Sequence, residues 1–137
     1  MRSAVDSSVL LDVLLPDTTF GPASAAALRK AIDSGAVIAC DVVWAEVRAA
    51  FPNEEGFRLA LEKLQIQFDA TGHEAAQMAG AIWKEYRSTA KSKLREHLIP
   101  DFLVASHASL QADVLLSRDR GFYRRYFSRL KLIDPSR

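Results

Sequence analysis

Short apolar runs alternate along this chain with longer segments of mixed polarity, and each alternation predicts a strand leading into a helix. Ala4 and Val5 enter Asp6, Ser7 and Ser8, after which Val9-Leu10-Leu11-Asp12-Val13-Leu14-Leu15 continues to Pro16. That order predicts a strand, a capped turn and a short helix. Gly21-Pro22 opens a second helix, since proline suits a first helical turn, and Ser34-Gly35 closes it. Residues 36–40 read as a second strand. Asp41 is placed to cap a helix over residues 42–50, stopped by Phe51-Pro52-Asn53. Phe57, Ala60, Leu61 and Leu64, three and four apart, predict a further helix, with a strand at 66–68. Thr71 and Glu74 fit a capping box opening a helix whose Ala75, Met78, Ala79, Ile82, Trp83 and Tyr86 share one face. Beyond Pro100, residues 102–112 read as a helix, 114–116 as a buried strand and 130–133 as a last strand.

Strands alternating with helices imply one α/β domain over residues 1–137, a three-layer α/β/α sandwich around a mostly parallel central sheet. Composition agrees with a single globular domain. The chain has 137 residues, 49% apolar and 26% charged, and no apolar run approaches the roughly 20 residues that span a bilayer. The N-terminus lacks the basic and apolar regions of a signal peptide. Cys40 is the sole cysteine, which excludes an internal disulfide and a cysteine-rich zinc site and suits a reducing cytoplasm; it reads as a small buried apolar residue.

The net charge of +1 conceals an asymmetry, because residues 1–83 carry 6 Lys/Arg against 11 Asp/Glu while residues 84–137 carry 12 against 6. Lys84, Arg87, Lys91, Lys93 and Arg95 form one basic cluster. Arg118, Arg120, Arg124, Arg125, Arg129 and Lys131 form another, around Asp119. Such clusters are either solvated faces or a surface that neutralises phosphates. Arg87, Lys91, Lys93, Arg95, Arg118 and Arg120 are the residues expected to hold a nucleic acid.

Ligands of open parallel sheets gather beyond the carboxyl ends of the strands. Asp6 directly follows the first strand, and Asp119 comes two residues after Ser117, at the end of the 114–116 strand. Asp101 stands at a helix entrance, where the backbone amides alone would favour an acid. Glu46 falls among Val42, Val43, Val47 and Ala50 on the stripe expected to face the sheet, where a carboxylate needs a partner: a metal ion, or an arginine such as Arg48 at the helix edge. Together these acids would make an all-oxygen site for Mg²⁺ or Mn²⁺. His107 reads as a core residue with one hydrogen bond, and the spacing of His73 and His97 matches no metal motif. Trp44, Trp83 and Phe102 read as core, whereas Tyr86, Tyr123 and Tyr126 are interleaved with arginines, as side chains that stack on nucleotides are.

At this point four segments resemble a known family. Val5-Asp6-Ser7-Ser8-Val9-Leu10-Leu11-Asp12 resembles the opening signature of PIN-domain proteins, and Trp44-Ala45-Glu46-Val47 the helix carrying their internal glutamate. The segment from Ile99-Pro100-Asp101-Phe102 to Ala108 is similar to the one bearing their third acid, and Leu116-Ser117-Arg118-Asp119-Arg120-Gly121-Phe122 to the one bearing their fourth. Order and approximate spacing agree across nearly the whole chain. Within the family the chain looks most like VapC-type toxins.

The resemblance implies a Mg²⁺-dependent endoribonuclease, with Mn²⁺ as a substitute, that cuts RNA, forms a homodimer and is restrained by a cognate VapB-type antitoxin. Asp6 and Asp101 would be the principal metal ligands, with Glu46 and Asp119 completing the catalytic acids. Ser7 and Ser117 would support the site or simply cap helices. The rival from another class is a PIN-like fold kept as a non-catalytic RNA-binding or protein-binding module. A receiver domain would need paired acids after the first strand, and a haloacid-dehalogenase-type phosphatase a second Asp at position 8, where Ser8 stands.

Overall fold

The computed structural model describes residues 1–15, 17–89, 99–118 and 121–137. Five strands, β1 (Ser3–Val5), β2 (Val37–Ala39), β3 (Ile66–Phe68), β4 (Val114–Leu116) and β5 (Leu132–Ile133), form one sheet in the order β3-β2-β1-β4-β5. Every pairing is parallel, so the sheet is wholly rather than mostly so. β1, β2 and β4 are buried at every residue. Central strands covered on both faces have no polar side, which is why β2 and β4 appear in the sequence as unbroken apolar runs and not as alternations; β1 adds one buried polar residue, Ser3.

Helices α1 (Ser7–Leu14), α2 (Gly21–Ser34), α3 (Asp41–Arg48) and α4 (Glu54–Lys63) fill the first two crossovers, with α5 (His73–Thr89) and α6 (Ile99–Gln111) in the third. A short α7 (Gly121–Tyr126) joins β4 to β5; the sequence reading passes over it. Its signal is the spacing of Phe122, Tyr123, Tyr126 and Phe127, four of seven residues in a segment otherwise dominated by arginine.

One aromatic cluster binds the second helical layer together. Phe102 of α6 meets Tyr86 of α5 at 5.3 Å and Phe122 of α7 at 5.0 Å between ring centroids, and Tyr86 meets Tyr126 at 5.2 Å, spacings at which tilted and edge-on rings attract. Tyr86 and Tyr123 are 4% and 2% exposed, which removes them as stacking platforms for nucleotides. In the first layer Trp44 of α3 packs edge-on against Phe57 of α4 and Phe68 of β3, at 5.4 and 5.2 Å.

Two local expectations are corrected. The capping box at the start of α5 does not form, because the Thr71 N–H and hydroxyl both donate to Asp41 Oδ1, at 2.9 and 2.6 Å. Asp41 is accordingly the first residue of α3 and not its cap, a position held by Cys40. Burial disfavours charge on Asp41, but these hydrogen bonds outweigh it and hold the carboxyl below its ordinary range. α3 ends before Phe51-Pro52-Asn53 as expected, and Asn53 also caps α4 by accepting the Gly56 N–H at 2.8 Å. Gly35 ends α2 at φ +153°, a conformation L side chains rarely adopt, and a Cβ there would run into the Met1 carbonyl. His107 is 1% exposed, and its Nε2 lies 2.8 Å from Asp69 Oδ2, a core histidine with one side-chain partner.

The chain steps from β1 out to β3 and then crosses back to lay β4 on the other side of β1. This reversal opens a crevice beyond the carboxyl ends of β1 and β4.

Candidate functional site

Asp6 stands at that crevice because β1 ends one residue before it. Its own N–H donates to the Leu116 carbonyl of β4 at 2.9 Å, extending the parallel ladder to the strand ends. Its backbone is extended (φ −82°, ψ 154°), and as the cap of α1 its Oδ1 accepts the Ser7 N–H at 2.8 Å. The other oxygen, Oδ2, accepts the Ser117 hydroxyl at 2.7 Å. Tyr123, from α7, brings its phenol oxygen to 3.5 Å from the same Oδ2. The sequence marks Tyr123 for stacking on nucleotides, not for this approach to Asp6.

Burial pushes the Asp6 carboxyl from its ordinary 3.8 up to about 6. The bonds from Ser117 and Ser7 pull the other way without prevailing, while the negative charges of Glu46 and Asp101 add to the rise. Three of the four sequence-nominated acids are therefore within electrostatic reach of one another. Because the fold favours protonated Asp6, this group's contribution to stability is complete below pH 3.8 and is lost as pH rises through about 6. The loss is roughly 3 kcal/mol at 1.36 kcal/mol per pH unit. Urea unfolding of wild type and Asp6→Asn between pH 4 and 7 should show their difference shifting by most of that amount in favour of the variant; a pH-independent difference would refute the burial account.

Glu46 does not lie on the buried stripe. Val43 and Val47 do, whereas Glu46 is exposed on α3, and Arg48 pairs with Glu54 at 2.8 Å instead. The reach of Glu46 to Asp6 is therefore across the open mouth of the crevice. Asp101 is half-buried in the first turn of α6, the helix that runs down to β4, so its amino end lies above the strand termini. Asp119 and Arg120 lie outside the described residues, as do Lys91, Lys93 and Arg95.

The requirement that a buried carboxylate find a partner applies to Asp12, which the sequence reading left inside an apolar run. Asp12 is 4% exposed and accepts a two-pronged bond from Arg118, Nε at 2.8 Å and Nη2 at 3.1 Å, together with the Ser24 hydroxyl at 2.7 Å. The Arg118 guanidinium, nominated for nucleic acid, is thus turned inward and lies 4.1 Å over the Phe20 ring. Arg87 is exposed on α5, its guanidinium 4.2 Å over Trp83.

Among the described residues no three acid, histidine or cysteine side chains are grouped closely enough to hold an ion by themselves. The chemistry of the set still suits one. Asp6, Glu46 and Asp101 offer only oxygen donors, as Mg²⁺ and Mn²⁺ prefer, and a cation would offset the burial and, to a lesser extent, the like charges that raise Asp6.

A wholly parallel sheet with helices in every crossover and acids near its switch point defines a doubly wound α/β domain. The PIN domain model matches residues 4–128, and the chain belongs to the PIN-domain family. Among solved structures, the fold is similar to a chain of VapBC2 from Rickettsia felis bound to a fragment of promoter DNA (TM-score 0.72, 14% identity, 98% of each chain). It is similar also to a chain of VapBC-1 from nontypeable Haemophilus influenzae (0.71, 16%, 100% of each) and of a toxin-antitoxin complex from Klebsiella pneumoniae (0.68, 16%, 97% of each). At these identities the likeness is one of fold. No curated protein sequence gives a significant match.

Proposed function

We propose that this protein is a Mg²⁺-dependent endoribonuclease and the toxin partner of a VapBC-type toxin-antitoxin pair. The observation that carries the reading is Asp6 itself, a carboxylate at the switch point raised to about 6 by burial, with Glu46 and Asp101 pressing on it. A protein keeps such a group when a ligand repays the strain. Asp6 and Asp101 would hold the ion, with Glu46 and Asp119 completing the acidic set. Bound there, Mg²⁺ would stabilise charge on a phosphoryl group and lower the pKa of an attacking water.

The chain's own residues do the rest. The Ser7 N–H and the Ser117 hydroxyl occupy one lone pair on each Asp6 oxygen, which fixes the plane of the carboxylate. Glu46, at the solvent edge, is placed to hold water or take up a proton. Exposed Arg87, with Lys91, Lys93, Arg95 and Arg120, would neutralise RNA phosphates. The assembly of the structural neighbours as toxin-antitoxin complexes supports a cognate VapB-type antitoxin as partner, and the protein would act as a homodimer in the cytoplasm. No helix among the described residues is long and apolar enough to cross a membrane.

Purified protein incubated with total RNA and Mg²⁺ or Mn²⁺ should give discrete fragments that EDTA abolishes. Mn²⁺ at 100 times its Kd should also stabilise the fold by about 2.7 kcal/mol. Absence of both cleavage and stabilisation under either metal would replace this reading with the non-catalytic module.

A further inference from the structure

Asp12 is the least exposed acid among the described residues, and its ion pair with Arg118 has no evident reason in stability. Exchanging a buried ion pair for apolar side chains of similar volume is often neutral or stabilising. What a carboxylate and a guanidinium supply instead is direction, because the fork holds both groups in one plane and at one distance. Here that direction is reinforced from two sides, by the Ser24 hydroxyl on Asp12 and by the Phe20 ring beneath Arg118.

The elements so joined are the two that carry Asp6 and Ser117. Asp12 lies on α1, the helix that Asp6 caps. Arg118 directly follows Ser117, whose hydroxyl binds Asp6 Oδ2 at 2.7 Å and whose N–H closes β4 onto β5 through the Ile133 carbonyl at 3.1 Å. The exit of β4 is therefore fastened to α1 twice in succession, once at the helix cap and once further along the helix. The Ser7 N–H and the Ser117 hydroxyl hold the plane of the Asp6 carboxylate only while Ser117 stays in place; the second attachment denies Ser117 the backbone movement that would release Oδ2.

We infer that Asp12 and Arg118 are positioning residues, whose ion pair clamps the exit of β4 onto α1 so that Ser117 presents the Asp6 carboxylate to the divalent cation. This rests on the metal reading above.

The test measures Mn²⁺ affinity by electron paramagnetic resonance on metal-free protein, beside thermal unfolding without metal. The double variant Asp12→Leu/Arg118→Met should unfold within a few degrees of wild type yet bind Mn²⁺ about 10 to 100 times more weakly, the usual cost of losing support behind a ligand. Arg118→Lys, which keeps the charge but not the fork, should lie between the two and provides the decision if the double variant fails to fold. Folded variants that bind Mn²⁺ within threefold of wild type would overturn the clamp and leave the metal site standing. Wild type that binds no Mn²⁺ would overturn both.

Discussion

Replacing Asp101 with Asn is expected to abolish RNA cleavage while leaving the protein folded. Asparagine nearly preserves shape but removes the charge that would hold the cation, and losing one preorganised electrostatic group costs on the order of 10³-fold in rate. Stability should move little, because two effects of the same change oppose each other. The acid in the first turn of α6 is favoured by the helix dipole, worth about 0.3–1 kcal/mol. It also repels Asp6, whose carboxyl it helps to push up to about 6. Cleavage of total RNA and thermal unfolding of the same preparation separate the two properties. A folded variant as active as wild type would remove Asp101 from the chemistry; a variant that fails to fold would show that the residue is structural.

Phe102→Ala should do the opposite, destabilising the whole protein by about 3–5 kcal/mol. The ring is fully buried between α5, α6 and α7, against Tyr86 at 5.3 Å, Phe122 at 5.0 Å and Phe127 at 6.3 Å. Three aromatic neighbours cannot collapse into the space together, so the cavity term adds to the lost transfer energy. Against a total of about 5–15 kcal/mol for a domain, that is a large share, and the melting temperature should fall by roughly 10–20 °C. Phe102→Leu, which fills most of the volume, should recover more than half of the loss. A cost below about 1 kcal/mol for the alanine variant would mean that the cluster is not packed as described.

These two neighbours in sequence show what local pattern reveals. Phe102 is legible as core because a large aromatic on an apolar helix face has nowhere else to go. The strands are legible for a related reason: Val37–Ala39 and Val114–Leu116 are buried on both faces, and unbroken apolarity leaves no other reading once the helices around them are counted. Asp6 after β1 follows from the rule that sites lie at strand ends. What escapes local pattern is partner choice. Periodicity placed Glu46 inward and left Asp12 unremarked, yet Glu46 is exposed and Asp12 is buried against an arginine 106 positions away. Thr71 has the spacing of a helix cap, but Asp41, 30 positions back, takes both its donors. In α7 the arginines that mark a basic surface also mask the helical spacing of the four aromatics beneath it.

The contact between Ser117 and Asp6 spans 111 positions, and it has a consequence in time. A ribosome adding about 5–20 residues per second takes roughly 5 to 20 s to travel from one to the other, and β4 must then leave the exit tunnel before it can slot beside β1. Through most of its synthesis the nascent chain carries its acids as scattered, hydrated side chains on separate segments. Whatever the completed crevice does, the translating chain does not do it, and a product truncated before β4 would be inert.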